Sequence, residues 1–295
     1  LALARAAKAI RDRLFVILQH LLPRYAMTAM VYRVARIRTP AIKNFLIRHF
    51  VRLFNVDLDG VREQVPEGFA TFNDFFVREL DPDARPATAD PAAILSPVDG
   101  TVSAMGDISR NSIFQAKGID YALDDLLVVD QTRTDAFVDG KFATIYLAPY
   151  NYHRVHAPIA GQLDAIHYVP GDLFSVNSAT VSAVRGLFRR NERLILHIRT
   201  PSGPAAVILV GALNVGSITT PWTGEVRPRR RGVTESIPLD RWPEIARGDL
   251  LGWFNMGSTV IVLLPRGAAD WEAGLEAGAT VVMGQTVGTL TRSFL

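Results

Sequence analysis

Near residue 92 the chain changes texture, and that change limits the fold more than any other feature of the sequence. Upstream, apolar residues recur at helical spacing. Ile10, Leu14, Ile17, Leu18, Leu21 and Leu22 form one stripe, widened by Phe15 and Val16 and ended by Pro23. Met27, Met30, Val31 and Val34 form a second. Ile42, Phe45, Leu46, Phe50 and Leu53 form a third, opened by Thr39 as a cap and Pro40 at the first helical position. A short helix is expected to open at Thr71-Phe72-Asn73-Asp74. Downstream, short apolar runs alternate with turn signals: Asp99-Gly100, Asp139-Gly140, Gly161, Pro170-Gly171 and Pro201-Ser202-Gly203-Pro204. Segments 141–147 and 260–264 read as strands, and 194–199 with 206–210 as a hairpin. Strand–helix–strand alternation is missing, which disfavours a parallel sheet. The expectation is an α+β fold, with N-terminal amphipathic helices (1–60) packed on a mainly antiparallel β core (61–295).

Charge divides at the same place. Residues 1–60 hold 11 Lys and Arg against 3 Asp and Glu, whereas the remainder holds 21 against 26. A basic and oily segment suits an anionic membrane surface better than nucleic acid, and packing on the body is compatible with that. No run of 18 apolar residues occurs, so no spanning helix is expected. The chain has 0 Cys, which excludes disulfides, Fe–S clusters and cysteine nucleophiles. The basic cluster Arg227-Pro228-Arg229-Arg230-Arg231 reads as a solvated loop or a phosphate contact.

Chemistry concentrates in three places. His153 and His156 lie in Tyr150-Asn151-Tyr152-His153-Arg154-Val155-His156, directly after an apolar strand. Such a pair serves structure, acid–base catalysis or metal ligation, but no cluster of further ligands accompanies it, so no metal is expected. His197 shares a strand face with Arg199 and is expected in solvent. Gly257-Ser258-Thr259 enters a strand. A tight turn is the ordinary reading, yet a glycine frees the backbone for Ser258 Oγ to attack the Gly257 carbonyl and turn the peptide into an ester. Elimination from that ester and loss of ammonia would leave a pyruvoyl group. Asp99, in the Ser96-Pro97-Val98-Asp99-Gly100 turn, supplies a carboxylate that could complete a relay with His156 and Ser258.

These segments, taken in order, resemble the pyruvoyl-dependent, membrane-associated phosphatidylserine decarboxylase proenzymes of bacteria and mitochondria. The resemblance runs through Phe75-Phe76-Val77-Arg78-Glu79-Leu80, Arg85-Pro86, Ser96–Gly100, Gln115-Ala116-Lys117-Gly118 and Tyr152–His156. It continues through Val169-Pro170-Gly171-Asp172-Leu173-Phe174-Ser175-Val176-Asn177, Asn191-Glu192-Arg193, Gly211-Ala212, Val215-Gly216-Ser217-Ile218 and Gly257-Ser258-Thr259. Met256 stands where the family usually has Leu.

The resemblance implies self-cleavage between Gly257 and Ser258 into a β chain (1–257) and an α chain (258–295) that begins with the pyruvoyl group. It implies that Asp99, His156 and Ser258 drive this step, with His156 as base and Asp99 holding its tautomer. His153 would donate a proton during decarboxylation, and Ser175 and Asn177 would contact the head group. Phosphatidylserine would form a Schiff base with the pyruvoyl carbonyl and leave as phosphatidylethanolamine, a step of phospholipid biosynthesis. Neither pyridoxal phosphate nor a metal is implied. Partners would be the anionic membrane and a second copy in a homodimer, at the cytoplasmic face of the bacterial inner membrane as a peripheral protein. The rival readings are a pyruvoyl enzyme for a soluble amino acid or an archaeal-type lipid, a lipoyl or biotinyl carrier through Lys141, and nucleic-acid binding through Arg229–Arg231.

Overall fold

The computed structural model describes residues 2–116 and 118–291, with side chains from residue 11 onward. Lys117 and the side chain of Ile10 therefore lie outside the described residues. Three helices open the chain: α1 (Ala2–Leu21), α2 (Arg24–Ala35) and α3 (Pro40–Phe54). Pro23 separates the first two, and the axis turns by 91° there. Pro40 occupies the first turn of α3 as expected, but Thr39 makes no side-chain cap bond. At the other end Asn55 adopts a left-handed conformation (φ 49°) and returns its N–H to Val51. Thr71 does cap the short helix α4 (Phe72–Phe76), accepting from the Asp74 N–H at 3.1 Å.

The body is a nine-stranded antiparallel sheet that carries smaller sheets around it. Its spine runs Gly161–Val169, Arg193–Thr200, Gly203–Val210, Thr259–Leu264, Lys141–Tyr146 and Gly100–Asp107 in spatial order. The hairpin expected around residues 201–204 joins Arg193–Thr200 to Gly203–Val210. Thr259–Leu264 is buried at every residue and is paired on both sides. That explains its unbroken apolar run, since a strand covered on both faces does not alternate. Leu250–Phe254 belongs to a separate four-stranded sheet, against Ile218–Thr220 and Arg154–His156. The four residues Asn255–Ser258 therefore carry the chain from one sheet into the other.

The helices dock by polar latches and a phenylalanine cluster. Buried Gln19 on α1 donates to Thr180 Oγ1 at 3.0 Å and accepts from the Ser175 N–H at 2.7 Å. On α2, Arg24 pairs with Asp172 at 2.8 Å, and just past its end Arg36 pairs with Glu225 at 2.7 Å. Phe50 on α3 packs its ring within 5.1 to 6.4 Å of Phe72, Phe75 and Phe76. The apolar stripe of α1 is not what docks it. Leu14, Ile17, Leu18 and Leu21 remain 50–78% exposed, as do Met30 on α2 and Phe45 and Leu53 on α3 at 56–66%. No single helix among the described residues is long and apolar enough to cross a membrane. The bent pair of residues 11–21 and 24–35 passes that test only when taken together.

The expectation for His197 is overturned. It is buried at 4% exposure, with its ring 5.1 Å from that of His167 on the neighbouring strand, while Arg199 on the same face stays exposed. Strand alternation puts the two on one face but does not decide how deeply either is buried.

Candidate active site

The crossover Asn255–Ser258 is fixed from both ends. Asn255 is buried and makes four hydrogen bonds. Its N–H donates to the Ser217 carbonyl at 3.0 Å, and its Nδ2 donates to Ser217 Oγ and Thr219 Oγ1 at 2.8 Å each. Its Oδ1 accepts from Asn73 Nδ2 at 3.0 Å. On the far side, the Ser258 carbonyl accepts from the Leu147 N–H at 2.8 Å, and Thr259 begins the central strand. Between these anchors Met256 has φ 152°, a region that side chains rarely enter. Strain is thus held one residue before Gly257.

Ser258 is fully buried, and its Oγ has no hydrogen-bond partner. His153 is also fully buried, and both of its ring nitrogens lack partners. His153 stands close to the residue before Ser258: a Cβ placed on Gly257 would lie 3.3 Å from His153 Nε2 and 3.6 Å from the Leu147 carbonyl. A side chain at this position would press the imidazole back by a few tenths of an ångström. The Phe76 ring packs 4.1 Å from the imidazole. Burial, and then the Arg78 charge, lower the His153 pKa to about 3, so the ring is neutral.

His156 and Asp99 lie together a short way off. The His156 N–H donates to the Pro97 carbonyl at 2.8 Å, which ties its strand to the turn carrying Asp99. His156 Nδ1–H donates to the Gly248 carbonyl at 2.7 Å, so Nε2 accepts from the Tyr152 hydroxyl at 3.1 Å. Burial lowers the His156 pKa, with Asp99 among the groups that pull it back up. Asp99 itself is held by Arg85, through Nη2–Oδ2 at 2.6 Å and Nε–Oδ1 at 3.2 Å, and by the Met283 N–H at 2.7 Å. The backbone thus brings Asp99 and His156 together. Ser258 Oγ is hydrogen-bonded to neither, and the group holding the His156 tautomer in the uncleaved chain is Gly248. Sequence reasoning passed over Tyr152, Arg85, Arg78 and Asn255 as agents, although the first three stood inside quoted motifs.

A cleft of about 400 Å³ opens onto Met256 and Gly257, with Phe76, Leu147, Ser175 and Asn214 in its walls. An apolar groove of about 270 Å³ adjoins it between α2 and α3, bordered by Met30, Val34, Leu46, Leu53 and Phe72, and it shares Val31, Phe50 and Met256 with the cleft. Ser175 reaches the cleft. Asn177 does not line it, and its Oδ1 accepts from both the N–H and the hydroxyl of Thr180 at 3.0 Å as the cap of a short helix. Among the described residues no group of three or more His, Cys, Asp or Glu is placed to hold a metal ion.

Residues 72–289 match the family model described as phosphatidylserine decarboxylase. The chain belongs to the phosphatidylserine decarboxylase family. A second model, described as PSD, matches residues 14–55, which fall on the three N-terminal helices. Curated relatives carry the name phosphatidylserine decarboxylase proenzyme. That of Methylococcus capsulatus is 48% identical over 287 residues, covering 95% of this chain and 98% of the relative. That of Alkalilimnicola ehrlichii is 50% identical over 275 residues, covering 92% and 96%. That of Saccharophagus degradans is 43% identical over 282 residues, covering 95% and 99%.

Proposed function

We propose that this chain cleaves itself between Gly257 and Ser258 and then decarboxylates phosphatidylserine to phosphatidylethanolamine, as a step of phospholipid biosynthesis. The observation that carries the reading is a buried Ser258 Oγ without a hydrogen-bond partner, directly after a glycine against which the buried His153 imidazole stands. Polar groups left bare in a protein interior are costly, and they are retained where chemistry uses them.

In self-cleavage, Ser258 Oγ attacks the Gly257 carbonyl carbon as its proton passes to a base. The C–N bond then breaks, the nitrogen takes the proton, and an ester joins the two segments. Neutral His156, with a lone pair on Nε2 and its Nδ1 proton committed to Gly248, is the base in this proposal. Tyr152, which now donates to that nitrogen, must turn aside for it to act. Asp99 favours the imidazolium through its charge. Strain at Met256 is relieved as the crossover is cut. Loss of the Ser258 Cα proton expels the Gly257 carboxylate, and water hydrolyses the resulting dehydroalanine with release of ammonia. The pyruvoyl group so left would supply an electron sink for the loss of CO₂ from an amine-bearing substrate. His153, already at that position, delivers the proton to the carbon that has lost CO₂. Ser175 offers the head group a hydroxyl, and Asn177 supports the same loop by capping.

The groove between α2 and α3 suits one acyl chain, and the exposed apolar residues of α1 and α3 suit insertion into an anionic bilayer surface. The protein is then peripheral, at the cytoplasmic face where its substrate's head groups are offered, and pairs as a homodimer.

Intact mass under denaturing conditions tests the central claim. Wild type should give two chains split after Gly257, the smaller carrying a pyruvoyl terminus, and Ser258→Ala should give one chain. A single folded wild-type chain would remove the electrophile and the reading with it. Turnover of phosphatidylserine vesicles rather than free serine separates this substrate from a soluble one. Leu14→Glu with Leu18→Glu should weaken sedimentation with phosphatidylglycerol vesicles, and unchanged sedimentation would remove the membrane surface as partner.

A further inference from the structure

Two motifs distant in sequence are clasped by a reciprocal pair of arginines. From the segment after α4, Arg78 Nη2 donates to the Tyr150 carbonyl at 3.2 Å. From the histidine segment, Arg154 Nε donates back to the Val77 carbonyl at 3.0 Å, and its Nη2 pairs with Glu79 at 2.8 Å. Inside this clasp lie the Phe76 ring and the His153 imidazole, 4.1 Å apart.

The two arginines differ in their surroundings. Arg154 has a carboxylate. Arg78 is 4% exposed, lies 5.3 Å over the Phe75 ring, and leaves Nε and Nη1 without any partner. A buried guanidinium with two bare donors is an expensive way to hold one carbonyl. Its pKa falls to about 10, burial being the main cause. The groups that act on it are Asp99, Tyr152, Asp57 and Arg85. Arg78 in turn lowers the His153 pKa, after burial, while the Asn151 backbone raises it.

We propose that Arg78 is a positioning residue for His153: bound to the Tyr150 carbonyl, it fixes the turn that presents the imidazole to Gly257, and it keeps a positive charge behind that ring. Burial holds His153 neutral while the cleft is empty of anions, and the Arg78 charge adds to that. A substrate with phosphate and carboxylate groups offsets the charge and raises the proton affinity of His153 at the moment a donor is needed. The imidazole thereby gains its proton with the substrate rather than before it. This inference rests on the role given to His153 above, and its first test does not depend on turnover.

The test is an NMR titration of His153 in the uncleaved Ser258→Ala chain, alone and with Arg78→Gln, Arg78→Lys or Arg154→Gln added. Arg78→Gln should move the His153 titration up by about one pH unit or more. Arg78→Lys, which keeps the charge, and Arg154→Gln, which leaves Arg78 in place, should not move it. In the self-cleaving protein, Arg78→Lys should lower kcat roughly tenfold or more with little change in KM, because the planar fork is lost while the charge stays. An unmoved titration in Arg78→Gln, or an equal shift in Arg154→Gln, would overturn the proposal. If Arg78→Gln fails to fold, a shift in Arg78→Lys would overturn it equally. Wild type that cleaves but does not decarboxylate phosphatidylserine would instead remove the reading on which the proposal stands, leaving the titration to be judged alone.

Discussion

Arg85 grips both carboxylate oxygens of Asp99, at 2.6 and 3.2 Å, with the Arg85 side chain 23% and the Asp99 side chain 9% exposed. Bidentate pairing of this kind fixes orientation as well as charge. Removing one partner leaves the other buried and unmatched. In the uncleaved Ser258→Ala background, where unfolding is that of one chain, Arg85→Gln should cost about 3 kcal/mol in urea denaturation. Adding Asp99→Asn should recover part of that loss. Strictly additive costs would show that the two residues act independently.

Asn255 holds the crossover at the proposed cleavage site through side-chain bonds to Asn73, Ser217 and Thr219. Asn255→Ala should slow self-cleavage by at least about tenfold, since small misplacements of reacting atoms are costly. It should also lower stability by about 1–3 kcal/mol through the partners left bare. The half-time of chain splitting after refolding or cell-free synthesis reports the first effect. Cleavage at the wild-type rate would show that strain and burial alone set the geometry.

The groove between α2 and α3 predicts a dependence on acyl length. Leu53→Trp projects bulk into it from a position that is 64% exposed, so the fold should survive. KM for long-chain phosphatidylserine should rise several-fold, while that for a short-chain, water-soluble analogue should move little. An equal rise for both would place the acyl chain elsewhere.

Stability should fall on both sides of a middle pH. Burial lowers His153 and His197 to about 3. Their stabilising contribution is complete above the unfolded value near 6.5 and is lost as pH falls from there toward 3. Glu192 behaves oppositely. Burial raises it to about 8, while the Tyr168 hydroxyl donates to it at 2.8 Å. Its contribution is complete below about 4.5 and drains away as pH rises through 8. Glu192→Gln, measured by thermal unfolding against wild type, should therefore be relatively more stable at pH 8 than at pH 5.5. A constant difference between the two pH values would show that Glu192 is ionised in the folded chain.

The sequence made the architecture legible because helical spacing and strand spacing occupy separate stretches, with little for tertiary contacts to override. It also marked Asp99, His153, His156 and Ser258, since each stands in a segment whose residue types suggest chemistry. The partners were not legible. Arg85 reaches Asp99 from outside its motif, Met283 contributes only a backbone N–H, and Gly248 only a carbonyl. Backbone atoms carry no residue-specific signal. His197 was misjudged because strand alternation gives a face and not what covers it. Thr39 was misjudged because a capping residue type does not ensure that its hydroxyl turns inward.

The strand Thr259–Leu264 sits between two neighbours at the centre of the large sheet, and the chain downstream adds Thr280–Val281 against Gly100–Asp107 and Thr286–Leu290 against Ala93–Leu95. A cut at Gly257 leaves every one of these pairings intact, so the smaller piece stays woven through the larger. What disappears is the tether that made its pairing a first-order event. The precursor threads its central strand as part of one molecule. The cut protein, once unravelled, must find that strand by collision, and its recovery should depend on concentration where the precursor's does not. The proposed cut would thus turn a fold that can be reached repeatedly into one that is reached efficiently once.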